Sequence, residues 1–265
     1  MFRLKWITLS LTIIVISACG KQRSPAFIAS YSPEQAALPD QSLPDQSLPD
    51  DTFTETEAAL SEASPPGASK PEVDKFKTHF DLSVSEETKI LEKYQHLDPE
   101  RRINDRMLKK ALIFFDQNRV RLKNLLYITV VDFSLSSKMP RLNVVDIKTG
   151  SVWSMHVAQG KGSDLNGDGR LDRFSNMVGS NATSRGFYLT AETYIGARGL
   201  SLRLDGLSPT NSLARQRTIV LHGAPYVVDA LVLQGRSWGC IAVAQQNSGE
   251  LIKMIKGGAL IYVDG

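Results

Sequence analysis

A mainly β domain with flanking helices is the fold class this sequence predicts, and three observations carry the prediction. From residue 126 onward, short runs rich in β-branched and aromatic residues follow one another between turn signals. Ahead of them stand two segments with apolar residues at helical spacing. Before those, residues 20–72 are too acidic and proline-rich to bury a core. With 265 residues, 42% of them hydrophobic, the chain as a whole can still form a sizeable core, which excludes a wholly disordered or fibrous protein. A formal net charge of +3, without any Lys/Arg run interleaved with aromatics, argues against a nucleic-acid partner.

The first element is a secretory signal over residues 1–19. Arg3 and Lys5 precede an apolar stretch from Leu11 to Ile16 that is far shorter than the roughly 20 residues a membrane-spanning helix needs. Small Ser17 and Ala18 then lead into Cys19, an arrangement that resembles the bacterial lipobox, whose cysteine becomes the lipidated first residue of the mature protein. The alternative is a plain signal peptide or an uncleaved anchor. Acylation of Cys19 would leave Cys240 as the remaining cysteine and no internal disulfide, so an exported protein would carry a lone thiol.

Residues 20–72 read as a linker. Leu38-Pro-Asp-Gln-Ser repeats from Leu43 and starts again at Leu48, and nine acidic residues stand against three basic ones. A flexible coil of this length spans about 40 Å, enough for an anchored domain to reach something nearby. Removing the linker's −6 and the signal's +2 leaves +7 for residues 73–265, a charge compatible with an anionic cell-wall polymer.

In the third segment, residues 73–265, Ser85-Glu86-Glu87 opens an amphipathic run to His96. Asp98-Pro99-Glu100 then reads as the N-cap and first turn of a second helix, with Ile103, Met107, Leu108, Ala111, Leu112 and Phe115 on its apolar face. Strands are predicted over 126–133, 142–147, 152–158, 186–190, 200–204, 218–222, 227–233, 241–244 and 259–263. Lys148-Thr-Gly-Ser151 reads as a hairpin turn, and 246–256 is the late helix. The sheet these runs form should be mainly antiparallel.

His222 closes a buried-looking strand and is followed at once by Gly223. Cys240 lies eighteen positions later, in Gly235-Arg236-Ser237-Trp238-Gly239-Cys240. A cysteine nucleophile needs a nearby imidazole, and a glycine beside it lets the chain turn so that backbone N–H groups face a tetrahedral oxyanion. A strand-end histidine and a turn-borne cysteine could meet across neighbouring strands. On residue types alone the alternative is an inert buried cysteine and a structural histidine.

The spacing then adds to residue type. His222-Gly223, a gap to Arg236, and Ser237-x-Gly239-Cys240 resemble the signature of the murein L,D-transpeptidase (YkuD-like) family, and so do Phe174-Ser-Asn, Gly179-Ser180, Gly186-Phe187-Tyr188 and Leu202-Arg203-Leu204-Asp205-Gly206-Leu207. The resemblance covers roughly residues 100–265. It implies a β-sandwich or barrel-like catalytic domain in which Cys240 attacks a peptidoglycan stem peptide at the L-to-D bond between residues three and four. The terminal D-alanine leaves a thioester, which an amine of a second stem resolves to a 3-3 crosslink. It further implies His222 as general base, oriented by a backbone carbonyl rather than by a carboxylate such as Asp229. Ser237 is placed close to the thiol, and the amides of Trp238, Gly239 and Cys240 are candidate oxyanion donors. No cofactor is required for this chemistry, and the cysteine should be depressed in pKa and readily alkylated near neutral pH.

The chain departs from the commonest family pattern at Trp238, which replaces a histidine, and at Ile241, where an arginine is frequent. A stem carboxylate must find its cation elsewhere, with Arg236 nearest in sequence and Arg185 second. Trp238 and Gly223 complete the expected substrate-binding set. Gly20 after Cys19 points to sorting to the outer membrane of a Gram-negative cell, so that the domain is lipid-anchored and faces the periplasm.

Asp164, Asn166, Asp168 and Asp172, with Gly169 at position six, match the start of an EF-hand calcium loop, although Ser175 stands where the bidentate Glu belongs. The loop either holds a structural calcium at 164–172 or is a set of Asx turns that binds nothing. His79, His96 and His156 show no metal-ligand spacing. Three functions stay open: a transpeptidase, an L,D-carboxypeptidase or endopeptidase using water on the same thioester, and a non-catalytic wall-binding lipoprotein. A papain-like protease fails because there the cysteine precedes the histidine. Nothing in the sequence sets an oligomeric state.

Overall fold

The computed structural model describes residues 75–265; the signal, Cys19 and the linker expected over 20–72 lie outside the described residues. Helix α1 (Val84–Glu92) starts at Ser83, whose hydroxyl accepts from Glu86 N–H at 3.3 Å while Glu86 returns to Ser83 N–H at 2.8 Å. This capping box satisfies donors that the first helical turn leaves open.

Helix α2 (Asp105–Gln117) begins later than its sequence signal. Asn104, not Asp98, caps it, by accepting from Arg106 N–H at 3.1 Å. The Asp98 carboxylate instead takes the N–H groups of Arg102 and Ile103, both at 2.9 Å, and Asp98 sits at φ 50°. It therefore ties down a connecting loop. Met107, Ala111, Leu112, Ile113, Phe114 and Phe115 are buried along α2. At about 1.5–3 kcal/mol for each large side chain, this face fixes the helix on the sheet.

The strands are β1 (Tyr127–Asp132), β2 (Leu142–Asp146), β3 (Val152–Met155), β4 (Val157–Ala158), β5 (Gly186–Gly196), β6 (Gly199–Gly206), β7 (Val220–Ala224), β8 (Ile241–Ala244) and β9 (Leu260–Asp264), with α3 (Gln245–Ile255) before β9. They form one sheet in the order β3-β2-β1-β9-β5-β6-β7-β8-β4. β3 and β4 stand at opposite ends of that order yet are separated in the chain by His156 alone, so the sheet curls into a nearly closed, barrel-like form. Pairing is mainly antiparallel; β1–β9 and β7–β8 are parallel.

Both faces of the central strands are covered. Ile261 and Val263 join the cluster with Val144, Leu202, Leu221 and Ile241 and with Leu251, Ile252 and Ile255 of α3. Leu260 and Tyr262 turn to the opposite cluster with α2. Two-sided burial explains the near-continuous apolar runs in the sequence.

Two sequence expectations change. Residues 227–233 form no strand: Val227 is buried, but Leu231 is 71% exposed, with Val228, Val232 and Leu233 exposed as well. Because β7 and β8 are parallel neighbours, the chain between them must cross from one end of the pair to the other, and this segment is that connection. β5 in turn runs well past residue 190. A register shift between Thr190 and Thr193 leads into a solvent-facing arm of the β5–β6 hairpin, where even Ile195 and Leu200 are exposed and no apolar alternation reveals the strand.

Candidate active site

The parallel pairing of β7 and β8 sets Leu221 beside Ile241 and His222 beside Ala242. Cys240 immediately precedes β8 and is therefore level with Val220. Alternation along the strands turns Leu221 and Ile241 into the barrel core, while Val220, His222, Cys240 and Ala242 share the opposite face. Two residues along and one strand across separate the Cα atoms of Cys240 and His222 by about 8 Å, a span the ring and the thiol together can bridge.

His222 is 6% exposed, and its Nδ1 lies 2.9 Å from the carbonyl of Gly223. Since a carbonyl only accepts, Nδ1 carries the proton and Nε2 is the basic nitrogen. The expectation that a backbone carbonyl orients this ring matches the geometry. Asp229 pairs instead with Nδ1 of His156 at 2.7 Å, and Nε2 of that buried ring meets Lys138 O at 3.0 Å. His96 faces Ile147 O and exposed His79 faces Asp81.

The half-buried thiol of Cys240 donates to Thr218 O at 3.7 Å, and no hydrogen bond joins it to His222 among the described residues. Burial raises its pKa above the ordinary thiol value, opposed by the Val220 backbone N–H and by the positive charge of Arg217. Burial likewise lowers the pKa of His222; the Gly223 carbonyl opposes this and the charge of Arg198 adds to it. Both shifts favour the uncharged forms, a thiol and a neutral imidazole. The direction runs against the expected low-pKa thiolate, because burial disfavours whichever form is charged.

Ser237 is 3% exposed and staples the turn before Cys240. Its hydroxyl donates to Cys240 O at 2.8 Å and accepts from Gly239 N–H at 3.1 Å. Its own N–H goes to Gln159 O at 2.9 Å, and its carbonyl takes Lys161 N–H at 2.7 Å, which fastens the turn to residues 159–161. Because Gly239 N–H is spent on Ser237, it does not point to an oxyanion in this state. The Cys240 N–H is engaged by no other described group and stands as the better donor. Gly239 has φ 112°, and a Cβ there would fall 2.8 Å from Ala182 O, so only glycine fits.

The substrate-binding expectations fare unevenly. Trp238 is 49% exposed two residues before Cys240, with Lys161 Nζ 5.3 Å from its ring centre. Gly223 faces inward: a Cβ would meet Ser248 Oγ at 2.5 Å and Gln245 Oε1 at 2.8 Å, so its smallness lets α3 approach β7. Arg236 donates from Nη1 to Asp164 O at 2.7 Å and packs on the 164–172 loop. Arg185 is exposed and its charge acts on Tyr262, in the sheet region covered by α2.

Two cations that sequence reading passed over act on the site. Arg217 donates to Ser175 O at 2.8 Å, Ser184 Oγ at 3.2 Å, Ser180 Oγ at 3.3 Å and Ala182 O at 2.5 Å, and its Nη2 lies 3.2 Å from where a Gly239 Cβ would be. It sits one residue before Thr218, which holds the thiol and has φ 51°, strained for a β-branched residue. Arg198, at the β5–β6 hairpin tip, acts on His222 and lies 6.0 Å from the Tyr226 ring. Proximity to the His/Cys motif is the one signal that could have singled out Arg217; Arg198 had none.

Asp164 is 1% exposed; its Oδ2 accepts from Gly169 N–H at 3.2 Å and from Gln159 Nε2 at 2.9 Å. Asn166 and Asp168 are exposed, and Asp172 Oδ2 takes Leu165 N–H at 2.8 Å. Among the described residues no three His, Cys, Asp or Glu side chains converge on one point close enough to hold a metal.

Compared with known proteins, residues 99–263 match the family model of the L,D-transpeptidase catalytic domain. No curated protein matches the chain. Among solved structures it is similar to an L,D-transpeptidase from Mycobacterium smegmatis (16% identity, TM-score 0.34, covering 53% of this chain and 59% of that one). It is also similar to L,D-transpeptidase 3 from Mycobacterium tuberculosis (14%, TM-score 0.35, 53% and 61%). A third is the helical cell shape determining protein Pgp2 from Campylobacter jejuni (16%, TM-score 0.35, 54% and 49%). The chain thus spans less than two thirds of the length of each.

Proposed function

The chain belongs to the L,D-transpeptidase catalytic-domain family, and from that premise we propose that it is a cysteine-dependent acyltransferase acting on peptidoglycan stem peptides. Cys240 is the nucleophile and His222 the base. The observation that supports this most is the β7–β8 register, which sets the two side chains on one face with Nε2 of His222 left as the acceptor.

In the first half-reaction the Cys240 proton passes to Nε2 as sulfur attacks the carbonyl carbon between stem residues three and four. The oxyanion forms near the Cys240 N–H and the charge of Arg217. The C–N bond then breaks, the departing D-alanine amine takes the proton from His222, and a thioester remains. In the second half-reaction an acceptor amine attacks the thioester, gives its proton to His222 and expels the sulfur, which regains that proton. Water in the amine's place would make the same site an L,D-carboxypeptidase or endopeptidase. Arg198 and Arg217, rather than Arg236 and Arg185, supply positive charge where a stem carboxylate would come, and exposed Trp238 offers a stacking face. Acylation at Cys19 and a periplasm-facing, outer-membrane anchor complete the reading; they rest on the sequence and are tested by metabolic palmitate labelling of the wild type and Cys19→Ala.

The deciding experiment incubates purified peptidoglycan fragments with the full chain and with Cys240→Ala and follows products by mass spectrometry. New tetra-tripeptide dimers that require Cys240 are the expected result. Loss of D-alanine without dimers assigns the hydrolase. No Cys240-dependent product overturns the enzymatic reading in favour of a wall-binding module.

A further inference from the structure

The 164–172 loop carries an observation that the sequence motif alone does not. The second carboxylate oxygen of Asp164, Oδ1, is buried without any hydrogen-bond donor, on a side chain that is 1% exposed. Native interiors rarely leave a charged oxygen so, because its lost hydration is not replaced. The charge of buried Arg141 acts on this carboxylate, but its hydrogen bonding reaches it only through Gln159, on the other oxygen. Oδ2, held by Gly169 N–H, keeps the carboxylate turned into its own loop.

We propose that Asp164–Asp172 is a calcium site, with Asp164 Oδ1 as its buried anchor, and that the bound ion braces the catalytic turn through Arg236 and Ser237. The remaining oxygens suit a hard cation: Asn166, Asp168, the Arg170 carbonyl at position seven, and Asp172 at position nine, which commonly acts through water; the three carboxylates do not converge in this structure, so the exposed ones must draw in on the ion. Gly167 and Gly169 have φ 74° and 80°, which gives the loop its tight turns. Ser175 in place of a bidentate Glu, with Arg236 against the loop, puts the affinity in the class of extracellular modules, about 10⁻⁴–10⁻³ M. An irregular oxygen set with backbone participation favours calcium over magnesium, which demands near-octahedral geometry.

The ion's connection to the nucleophile is short. Arg236 Nη1 donates to Asp164 O at 2.7 Å, and Ser237 bonds to Gln159 and Lys161 in the segment that joins β4 to the loop. This inference does not depend on the proposed reaction.

The full chain, stripped with EDTA and dialysed, is titrated with CaCl2 in a calorimeter and melted in about 10 mM CaCl2, in MgCl2, and in NaCl of matched ionic strength. One calcium per chain and a melting temperature about 3–10 °C higher in calcium than in the other salts are expected. Asp168→Ala, at an exposed position, should melt as the wild type does without calcium and lose both the heat and the shift. Hydrogen exchange of the amides at 235–240 should slow on adding calcium. No binding heat, an equal shift in magnesium, or a shift that survives in both Asp168→Ala and Asp164→Asn would overturn the site. Unchanged exchange at 235–240 would overturn the bracing.

Discussion

Alkylation of Cys240 by iodoacetamide as a function of pH separates two ways of making this thiol a nucleophile. Burial raises the Cys240 pKa and lowers that of His222; on the proposed mechanism the thiolate then forms as its proton leaves for Nε2 during attack. For such a thiol the alkylation rate rises about tenfold per pH unit from about pH 6 to beyond the ordinary thiol range near 8.5. A preformed thiolate–imidazolium pair, whose thiol pKa falls to about 3–4 in the strongest cases, would give a rate nearly flat over about pH 5–8. Replacing the base sharpens the contrast. His222→Ala should lower turnover by about 10²–10⁴-fold, the usual contribution of a general base, yet change alkylation at pH 7 by less than about tenfold, because no thiolate is being held there. The assay is intact-protein mass spectrometry after timed alkylation, beside product formation from stem peptides. A flat wild-type profile, or a collapse of neutral-pH alkylation in His222→Ala, would refute the neutral-pair argument.

Ser237→Ala removes two hydrogen bonds from a buried turn, so chemical denaturation should show a loss of about 1–3 kcal/mol, with turnover falling further because the Cys240 carbonyl is released. Gly239→Ala must place a Cβ at φ 112° and 2.8 Å from Ala182 O; strain of about 1–3 kcal/mol and loss of turnover are expected in paired melting and activity measurements. Arg217→Met should move the rising limb of the alkylation profile to higher pH, since its charge favours the thiolate, whereas Arg217→Lys keeps the limb in place; a limb unmoved in the Met variant would remove Arg217 from the site's electrostatics. For His222, a folded pKa below the unfolded value means that its contribution to stability is present above about pH 6.5 and is lost as pH falls. His222→Gln should therefore lose less stability than the wild type between about pH 7 and 5 in denaturant titrations.

Local chemistry sufficed for much of this protein. The apolar runs that became β1, β2, β8 and β9, the hairpin turn at 148–151, and the His222 to Cys240 spacing are all written in residues close together in the chain, where periodicity and side-chain type report directly. That a backbone carbonyl orients His222 followed from the family resemblance, and the structure supplies which one, that of Gly223. What the sequence could not decide depends on distant segments meeting. The β7–β8 pairing is parallel, so 227–233, a strand by composition, had to become a crossover. Asn104 displaced Asp98 as a helix cap because a loop needed that carboxylate. Arg236, nearest to Cys240 in sequence, went to the Asp164 loop, while Arg217 and Arg198 came to the site from the β6–β7 connection and a hairpin tip. The directions in which the Cys240 and His222 pKa values move were likewise set by how much protein surrounds them, a quantity that only the folded sheet and its neighbours supply.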